Sequence, residues 1–289
     1  MKVAVIILNY NSTVDCAKCI SFLKRQENVD LEIIIVDNHS QPKEVESIKV
    51  FCKAENCTLL LNEQNKGYSA GNNVGLRYAA GKGYQYVLIA NPDMEFPQTD
   101  YISQLVNRME KDSRIVVAGT DIIGTDGIHQ NPMKPEGNWT ESFGWIKDIL
   151  QRKKSVDAYH FIDQYDKSHY CHKLGGCCLM VRLSFMQRIG FFDEYPFLYC
   201  EEAILSRQVE SEGQKMYYIA DLQAVHRHIR SEKGNPVKRF KEWRRSRFYF
   251  IDHYSGDSLG GRLIAKCSIG GYILLMIVRS RIQQLKNGM

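Results

Sequence analysis

Short apolar runs alternate with stretches of helical spacing over residues 3–118 of the chain. The runs are rich in β-branched residues and predict strands, whereas the stretches repeat apolar positions every three or four residues and predict helices. The predicted strands are 3–8, 31–36, 58–61, 86–90 and 115–118, and the predicted helices are 13–25, 44–52, 68–80 and 101–111. Strands that are apolar throughout and alternate with helices predict an α/β fold, with a parallel sheet covered by helices on both faces.

Polar residues follow the carboxyl end of each of the first four predicted strands. These polar segments are 9–11, 37–40, 62–67 and 91–93. Ligands bind outside the carboxyl ends of the strands in doubly wound sheets. The four segments are therefore expected to meet at one functional edge.

The chain loses its clear periodicity after this half. Segment 123–173 is polar and aromatic, and we interpret it as an irregular insertion over the site that decides the acceptor. An apolar run at 174–181, a helix beginning near Glu201 and a strand over 216–219 that leads to His226 are predicted beyond it. The resulting expectation is a main domain over 1–232 and a helical extension over 233–289.

Composition limits the alternatives only weakly. The net charge of +5 permits anionic partners such as diphosphates or acidic lipids without choosing among them. Nine cysteines without a regular framework indicate reduced, mostly buried thiols in a cytosolic protein. The apolar run at the N-terminus is too short for a signal sequence, which favours a protein that is not secreted.

Several strand-end residues have side chains suited to chemistry, and each has a structural alternative. Asp37 could hydrogen-bond a base or ribose, or it could form an Asx turn. The glycine- and asparagine-rich segment 65–75 opens a helix whose amides could face an anion, or it could serve only for capping and tight packing. Its spacing is not that of a dinucleotide-binding loop.

Further candidates are carboxylates and histidines. Asp93, in Asn-Pro-Asp, could hold Mg²⁺ or Mn²⁺ against a diphosphate, or it could belong to a plain turn. Glu201 and Glu202 could supply a general base, or they could be solvated charges at a helix start. At most one of His226 and His228 is expected to bind metal, because alternate residues of a strand point to opposite faces.

The order of these features resembles the family 2 glycosyltransferases with the GT-A fold, in particular their rhamnosyl- and capsule-type branch. The matching segments are 8–11, 36–40, 65–67, 73–75, 91–93, 175–176, 190–194, 201–202 and 225–226. This resemblance covers most of the chain and is specific for the family, but it does not identify the sugar.

The resemblance implies roles for individual residues. It places Asp93 and His226 at a Mn²⁺ or Mg²⁺ ion beside the diphosphate. It places the donor nucleotide and sugar near Asn9, Asn11, Asp37, Asn65, Gly67, Asn72, Asn73, Asn91 and Gly176. Glu202 matches the second acid of the family's Glu-Asp motif, which acts as base on the acceptor hydroxyl.

One departure from the family pattern leaves the base open. The motif is Glu201-Glu202 here, and Ile204 stands where many members have a further acid, so Glu202, Glu201 and Asp193 all stay candidates. The resemblance implies a single displacement from a UDP- or dTDP-sugar onto a glycan or polyprenyl-diphosphate-linked acceptor, with inversion. The alternatives are a binding-only relative and a sugar nucleotidyltransferase, although segment 9–12 lacks the glycine-rich basic loop of the latter.

The end of the chain combines basic and apolar residues. Basic side chains are concentrated in segment 238–247. Segment 263–278 is apolar except for Lys266 and Ser268. A spanning helix needs about 20 apolar residues. We therefore predict a helix lying in the interface of an anionic membrane, peripheral on the cytoplasmic face, with packing on the catalytic domain as the alternative. Nucleic acid is not an expected partner, because no nucleic-acid-binding module accompanies the charge.

Overall fold

The computed structural model describes residues 2–150, 164–227 and 236–287. Its strands are β1 Lys2–Asn9, β2 Asp30–Asp37, β3 Thr58–Leu61, β4 Tyr86–Ala90, β5 Met94–Glu95, β6 Ile115–Gly124, β7 His169–Cys171, β8 Cys178–Arg182 and β9 Lys215–His226. Its helices are α1 Thr13–Leu23, α2 Pro42–Glu55, α3 Tyr68–Gly81, α4 Tyr101–Glu110, α5 Gly144–Leu150, α6 Leu183–Arg188, α7 Glu201–Ser211, α8 Pro236–His253 and α9 Leu259–Asn287, and a 3-10 turn covers Trp139–Phe143.

The strands form one sheet with the order β3-β2-β1-β4-β8-β6-β9-β5, and β7 pairs with β9. Strands β1 to β4 are mutually parallel, as predicted from the alternating pattern. Strand β8 lies antiparallel between β4 and β6, so the second half of the sheet is mixed. The predicted α/β fold with a sheet flanked by helices is confirmed. The apolar run predicted at 174–181 contains most of β8, but the periodicity carried no information about its antiparallel place between β4 and β6.

Alternate residues of β1 build two cores, one on each face of the sheet. Val5 and Ile7 pack with residues of α1 and α4, and Ile6 packs on the opposite face with residues of α3 and α7. All three side chains are buried. Burial on both faces is why these strands are apolar without alternation.

The C-terminal helices build a third core. Phe250 and Ile251 of α8 and Ile269 of α9 pack against Ala203 and Ile204 of α7. The helical extension therefore packs directly on the helix that begins with Glu201. The boundary predicted between residues 232 and 233 lies outside the described residues, as does His228.

Candidate active site

The ends of β1 and β2 are joined by a buried side-chain pair. Asn9 and Asp37 are register partners, and Asn9 Nδ2 donates to Asp37 Oδ2 across 2.8 Å. The other oxygen of Asp37 accepts the Ser40 amide at 3.0 Å. Ser40 Oγ in turn accepts the amide of Asn11, whose φ is +55°. Asp37 thus forms the turn considered for it, and a nucleotide contact for this buried carboxylate stays a prediction.

Asn38 connects three segments of the sheet edge and was not among the predicted site residues. Its Nδ2 donates to Asn65 Oδ1 at 3.0 Å and to the Gly67 carbonyl at 3.1 Å. Its Oδ1 accepts Asn62 Nδ2 at 3.1 Å. An amide side chain can donate and accept at once, so Asn38 ties the ends of β2 and β3 to the start of α3.

The start of α3 is held by the segment that precedes α7. Gly67 has φ +96°, and a Cβ there would lie 2.1 Å from the Phe197 carbonyl oxygen, so only glycine fits. The Tyr68 amide donates to that carbonyl at 3.0 Å. The side chain of Asn73 exchanges two hydrogen bonds with the backbone of Phe192. Gly67 and Asn73 therefore bring segment 191–200 against α3, while Asn72 is buried beside them.

Asp93 and His226 face each other across paired strands. His226 pairs with Met94 in the β5–β9 ladder, and its Nε2 lies 3.3 Å from Asp93 Oδ1. The other ring nitrogen, Nδ1, lies 2.8 Å from Gln130 Oε1. An amide oxygen can only accept, so Nδ1 donates to Gln130, and this bond orients the ring with Nε2 toward Asp93.

This pair fits a divalent cation. Adjacent ligands of an octahedral Mg²⁺ shell, at about 2.1 Å from the ion, are about 3 Å apart, close to the observed spacing. The Asp93 carboxylate suits Mg²⁺ or Mn²⁺, and an imidazole nitrogen is a common metal ligand that can complete the pair. No group of three or more His, Cys, Asp or Glu residues that could hold a metal occurs in the described parts of the chain. Further ligands would have to come from a diphosphate or water.

Glu202 is held by the glycine pair that precedes β8. The Gly176 amide donates to Glu202 Oε1 at 3.2 Å, and the Tyr68 hydroxyl donates to the Gly176 carbonyl. A Cβ on Gly176 would approach Glu202 Oε1 at 3.3 Å, so the carboxylate lies directly over the backbone. Tyr68 was missed in the sequence because its hydroxyl acts across 108 residues.

The surroundings of Glu201 disfavour its ionised form. Burial, and then the charge of Glu202, raise the pKa of Glu201 well above its usual range. Its Oε2 is buried without a hydrogen-bond partner among the described residues. Glu201 is therefore mostly protonated at neutral pH, which makes it a poor general base.

Asp193 anchors the C-terminal extension. Its Oδ1 accepts the Tyr195 amide at 2.9 Å, and its Oδ2 accepts the hydroxyls of Tyr249 at 2.8 Å and Tyr254 at 2.6 Å. These three donors occupy both carboxylate oxygens, so the side chain is engaged in structural contacts. The side chain thus links the segment before α7 to α8 and the turn after it.

The irregular insertion contributes a second link to α8. Glu136 accepts Lys173 Nζ at 2.6 Å and also pairs with Arg247. Burial opposes ionisation of Glu136, but Arg247 and Lys173 outweigh it and lower its pKa to about 2. The ion triad fixes the insertion to α8 near the start of α7.

Comparison with known proteins gives a family and a fold. The family model described as Glycosyl transferase family 2 matches residues 4–188. The chain is 26% identical over 225 residues to the low-salt glycan biosynthesis hexosyltransferase Agl10 of Haloferax volcanii, covering 77% of this chain and 66% of that protein. It is 25% identical over 177 residues to the N-acetylglucosaminyl-diphospho-decaprenol L-rhamnosyltransferase of Mycobacterium tuberculosis, covering 59% of this chain and 56% of that protein.

Solved structures confirm the GT-A type of fold. GalNAc-T7 with UDP, GalNAc and Mn²⁺ matches with a TM-score of 0.62 at 14% identity, covering 90% of this chain and 52% of that one. The mannosyltransferase PcManGT from Pyrobaculum calidifontis, in complex with GDP-Man and Mn²⁺, matches with a TM-score of 0.59 at 14% identity, covering 94% and 69%. The family inferred from the order of the motifs is confirmed, and the chain belongs to glycosyltransferase family 2.

Proposed function

We propose that the protein is an inverting, metal-dependent glycosyltransferase. It transfers a sugar from a UDP- or dTDP-sugar to a glycan or polyprenyl-diphosphate-linked acceptor in surface polysaccharide synthesis. The observation that carries the proposal is the segment Gly176–Cys177. The Cys177 carbonyl accepts the Asn91 amide at 2.8 Å, and the Gly176 amide binds Glu202. One short segment thereby joins the Asn-Pro-Asp turn to the proposed base.

Glu202 acts as the general base in this proposal. It removes the proton from an acceptor hydroxyl, whose oxygen forms a bond to the anomeric carbon from the face opposite the diphosphate. The bond from that carbon to the leaving oxygen breaks, giving an inverted glycoside, a nucleoside diphosphate and a proton on Glu202. The transition state has oxocarbenium character, as in glycoside hydrolysis. The protonation of Glu201 and the three donors on Asp193 favour Glu202 over both alternatives.

Asp93 and His226 are the proposed ligands of a Mn²⁺ or Mg²⁺ ion. Such an ion would stabilise the charge that develops on the leaving diphosphate. The chain's own contribution is the orientation of the His226 ring, set by Gln130, which directs Nε2 toward Asp93. The two structural neighbours contain Mn²⁺ with a nucleotide or nucleotide sugar, which supports the same use here.

The proposed acceptor and location rest on one relative and on the chemistry of a lipid-linked acceptor. The mycobacterial relative is named for an acceptor on diphospho-decaprenol, which supports a polyprenyl-diphosphate-linked acceptor for this chain. Such an acceptor is anchored in a membrane by its lipid. We therefore propose that the protein works on the cytoplasmic face as a peripheral enzyme.

The test is donor turnover across UDP-, dTDP- and GDP-sugars with Mn²⁺ or Mg²⁺, with and without acceptor glycolipids. We expect one donor to release nucleoside diphosphate with metal, and Asp93→Asn to abolish the release. Asp30→Asn is the matched control, because Asp30 begins β2 and lies at the opposite edge of the sheet. Release of pyrophosphate, or retention of anomeric configuration in the product, would refute the proposed reaction. Calorimetry showing that no nucleotide sugar binds would refute the proposed donor class.

A further inference from the structure

The outward face of α9 is apolar along most of its length. Apart from Arg279, its exposed positions among the described side chains recur mostly every three or four residues and therefore lie along one side of the helix. They are Leu259, Gly260, Leu263, Ile264, Cys267, Gly271, Leu274, Val278, Arg281 and Ile282. We call this set the α9 outer face. The arrangement is the inverse of an ordinary surface helix, which turns its polar side to water.

The polar side chains in the middle of α9 turn inward. Lys266 pairs with Asp252 of α8, and Arg262 donates to the carbonyl oxygens of Asp252 and Asp257 at 2.8 Å. Ser268 Oγ accepts a hydrogen bond from Trp145 Nε1 and donates one to the Ser142 carbonyl. Lys266, which in the sequence appeared to interrupt an apolar surface, is therefore not part of that surface.

The segment that packs beside α9 enlarges the apolar area. The Trp145 ring lies 5.7 Å from that of Tyr272, and a Cβ on Gly261 would lie 2.8 Å from Trp139. The same segment exposes Phe143, Ile146 and Leu150, the last at 78%. An exposed apolar patch of this extent indicates a binding surface.

Exposed cations lie at one end of the helix pair. Asp252 of α8 binds Arg262 and Lys266, and Phe248, one turn earlier in α8, lies 5.6 Å from Lys266, so the two helices run antiparallel. The start of α8 consequently lies toward the end of α9. Exposed basic residues occur at both places: Lys238, Arg239, Lys241, Arg244, Arg245, Arg279 and Arg281.

We propose that the α9 outer face lies in the interface plane of an anionic membrane, with the leucines among the acyl chains and the basic end at the headgroups. An apolar face beside clustered cations fits anionic lipid in both chemistry and sign. Residues Leu259–Arg279 are long and apolar enough to span a membrane. The inner face of α9, however, is packed on α7 and α8, and spanning would require its removal from that core.

This placement would bring a lipid-linked acceptor to the base. Ser246 of α8 donates to the Leu198 carbonyl at 2.7 Å, and Tyr249 binds Asp193. Both contacts hold the segment that leads into α7 and Glu202. The inference deepens the proposed function and rests on it for the acceptor, but membrane binding can be measured without any sugar transfer.

Cys267 provides a native probe of the α9 outer face. It is the only exposed cysteine of the nine. We expect a nitrobenzoxadiazole label on Cys267 to shift to the blue when the full chain meets vesicles of phosphatidylglycerol and phosphatidylcholine. The shift should be weaker with phosphatidylcholine alone, and the protein should float with the mixed vesicles and be released by carbonate.

A pair of double variants tests the surface itself. The double variant Leu263→Gln/Leu274→Gln should bind vesicles more weakly. Each leucine that no longer inserts into the acyl region should lower the affinity by roughly tenfold. Val14→Gln with Val50→Gln is the matched control, because both valines are exposed at 70% on other helices. Absence of flotation, flotation that resists carbonate, or equal binding by the two double variants would each overturn the proposal. A dimer that protects Cys267 from labelling in the absence of vesicles would also overturn the proposal. Normal donor turnover in any of these cases would leave the proposed reaction intact.

Discussion

The hydroxyl of Tyr68 donates to the carbonyl of Gly176, the residue whose amide holds Glu202. The first residue of α3 therefore supports the first turn of α7 through a single glycine. Tyr68 does not bond Glu202 itself, and its role is to position the backbone beneath the carboxylate. A contact to the residue that holds a catalytic group often decides whether that group keeps its productive geometry.

Tyr68→Phe removes this support while it keeps the ring. We expect kcat to fall by roughly tenfold with little change in donor KM. A misplaced base reduces the stabilisation of the transition state but leaves the binding of the donor in the ground state unchanged. Stability should fall by about 1 kcal/mol, the typical value of one hydrogen bond. The control is Tyr78→Phe, which removes a hydroxyl of the same helix that binds Glu32. Equal kcat values for the two variants would contradict a positioning role.

The adjacent acids should behave differently when made neutral. Glu202→Gln removes the proposed base and should lower kcat by about 10²–10⁴-fold. Glu201→Gln replaces a carboxyl that is already mostly protonated at neutral pH, so it should retain most activity. Both are measured as initial rates of transfer at neutral pH with saturating donor. The assignment of the base would be wrong if Glu201→Gln were the inactive variant.

Glu201 also predicts a pH dependence of stability. Its folded-state pKa is raised above the ordinary value of 4.5, so the unfolded chain releases this proton first. The unfolded state then binds fewer protons, and the free energy of unfolding declines as pH rises from 4.5 toward the folded-state pKa. Glu201→Gln should remove that part of the decline in urea titrations across this range. An unchanged pH profile would mean that Glu201 is ionised in the folded protein.

Glu136 predicts the opposite dependence. Its pKa is lowered from 4.5 to about 2, so its contribution is complete above pH 4.5 and is lost as pH falls toward 2. Glu136→Gln leaves Arg247 and Lys173 with an uncompensated charge and should cost about 3 kcal/mol at neutral pH. The control is Glu46→Gln, which breaks an exposed pair with Lys49 and should cost less than about 1 kcal/mol. Urea denaturation at neutral and acidic pH distinguishes the two.

The part of the fold that depends on local pattern was predictable from the sequence. The apolar runs of β1 to β4 placed Asn9, Asp37 and Asn91 at one edge of the sheet. The remainder depends on contacts that no local pattern carries. Glu136 lies in a segment whose composition indicated only irregular structure. Its carboxylate binds Lys173 and Arg247, which are 37 and 111 residues away along the chain. The antiparallel position of β8 likewise has no sequence signal, because a buried strand has the same composition in either direction.

Gln130 should control metal affinity without touching the ion. It accepts a hydrogen bond from His226 Nδ1 and so orients the ring with Nε2 toward Asp93. Gln130→Leu should weaken Mn²⁺ binding by about 10–100-fold, the usual cost of losing such a partner. Electron paramagnetic resonance titration of Mn²⁺ with bound nucleoside diphosphate measures this without turnover. Gln223→Leu, which alters a glutamine of β9 that binds Asp121, should leave the affinity unchanged.

Asp193 can be separated from the base by two substitutions. Asp193→Asn keeps an oxygen that can accept the Tyr249 and Tyr254 hydroxyls, so kcat should stay within a few-fold of the wild-type value. Asp193→Ala leaves both hydroxyls without this acceptor and should lower stability by about 2 kcal/mol. Because α8 holds the segment before α7, the alanine variant should also raise the acceptor KM more than the donor KM. Loss of kcat in Asp193→Asn with normal stability would instead assign Asp193 as the base.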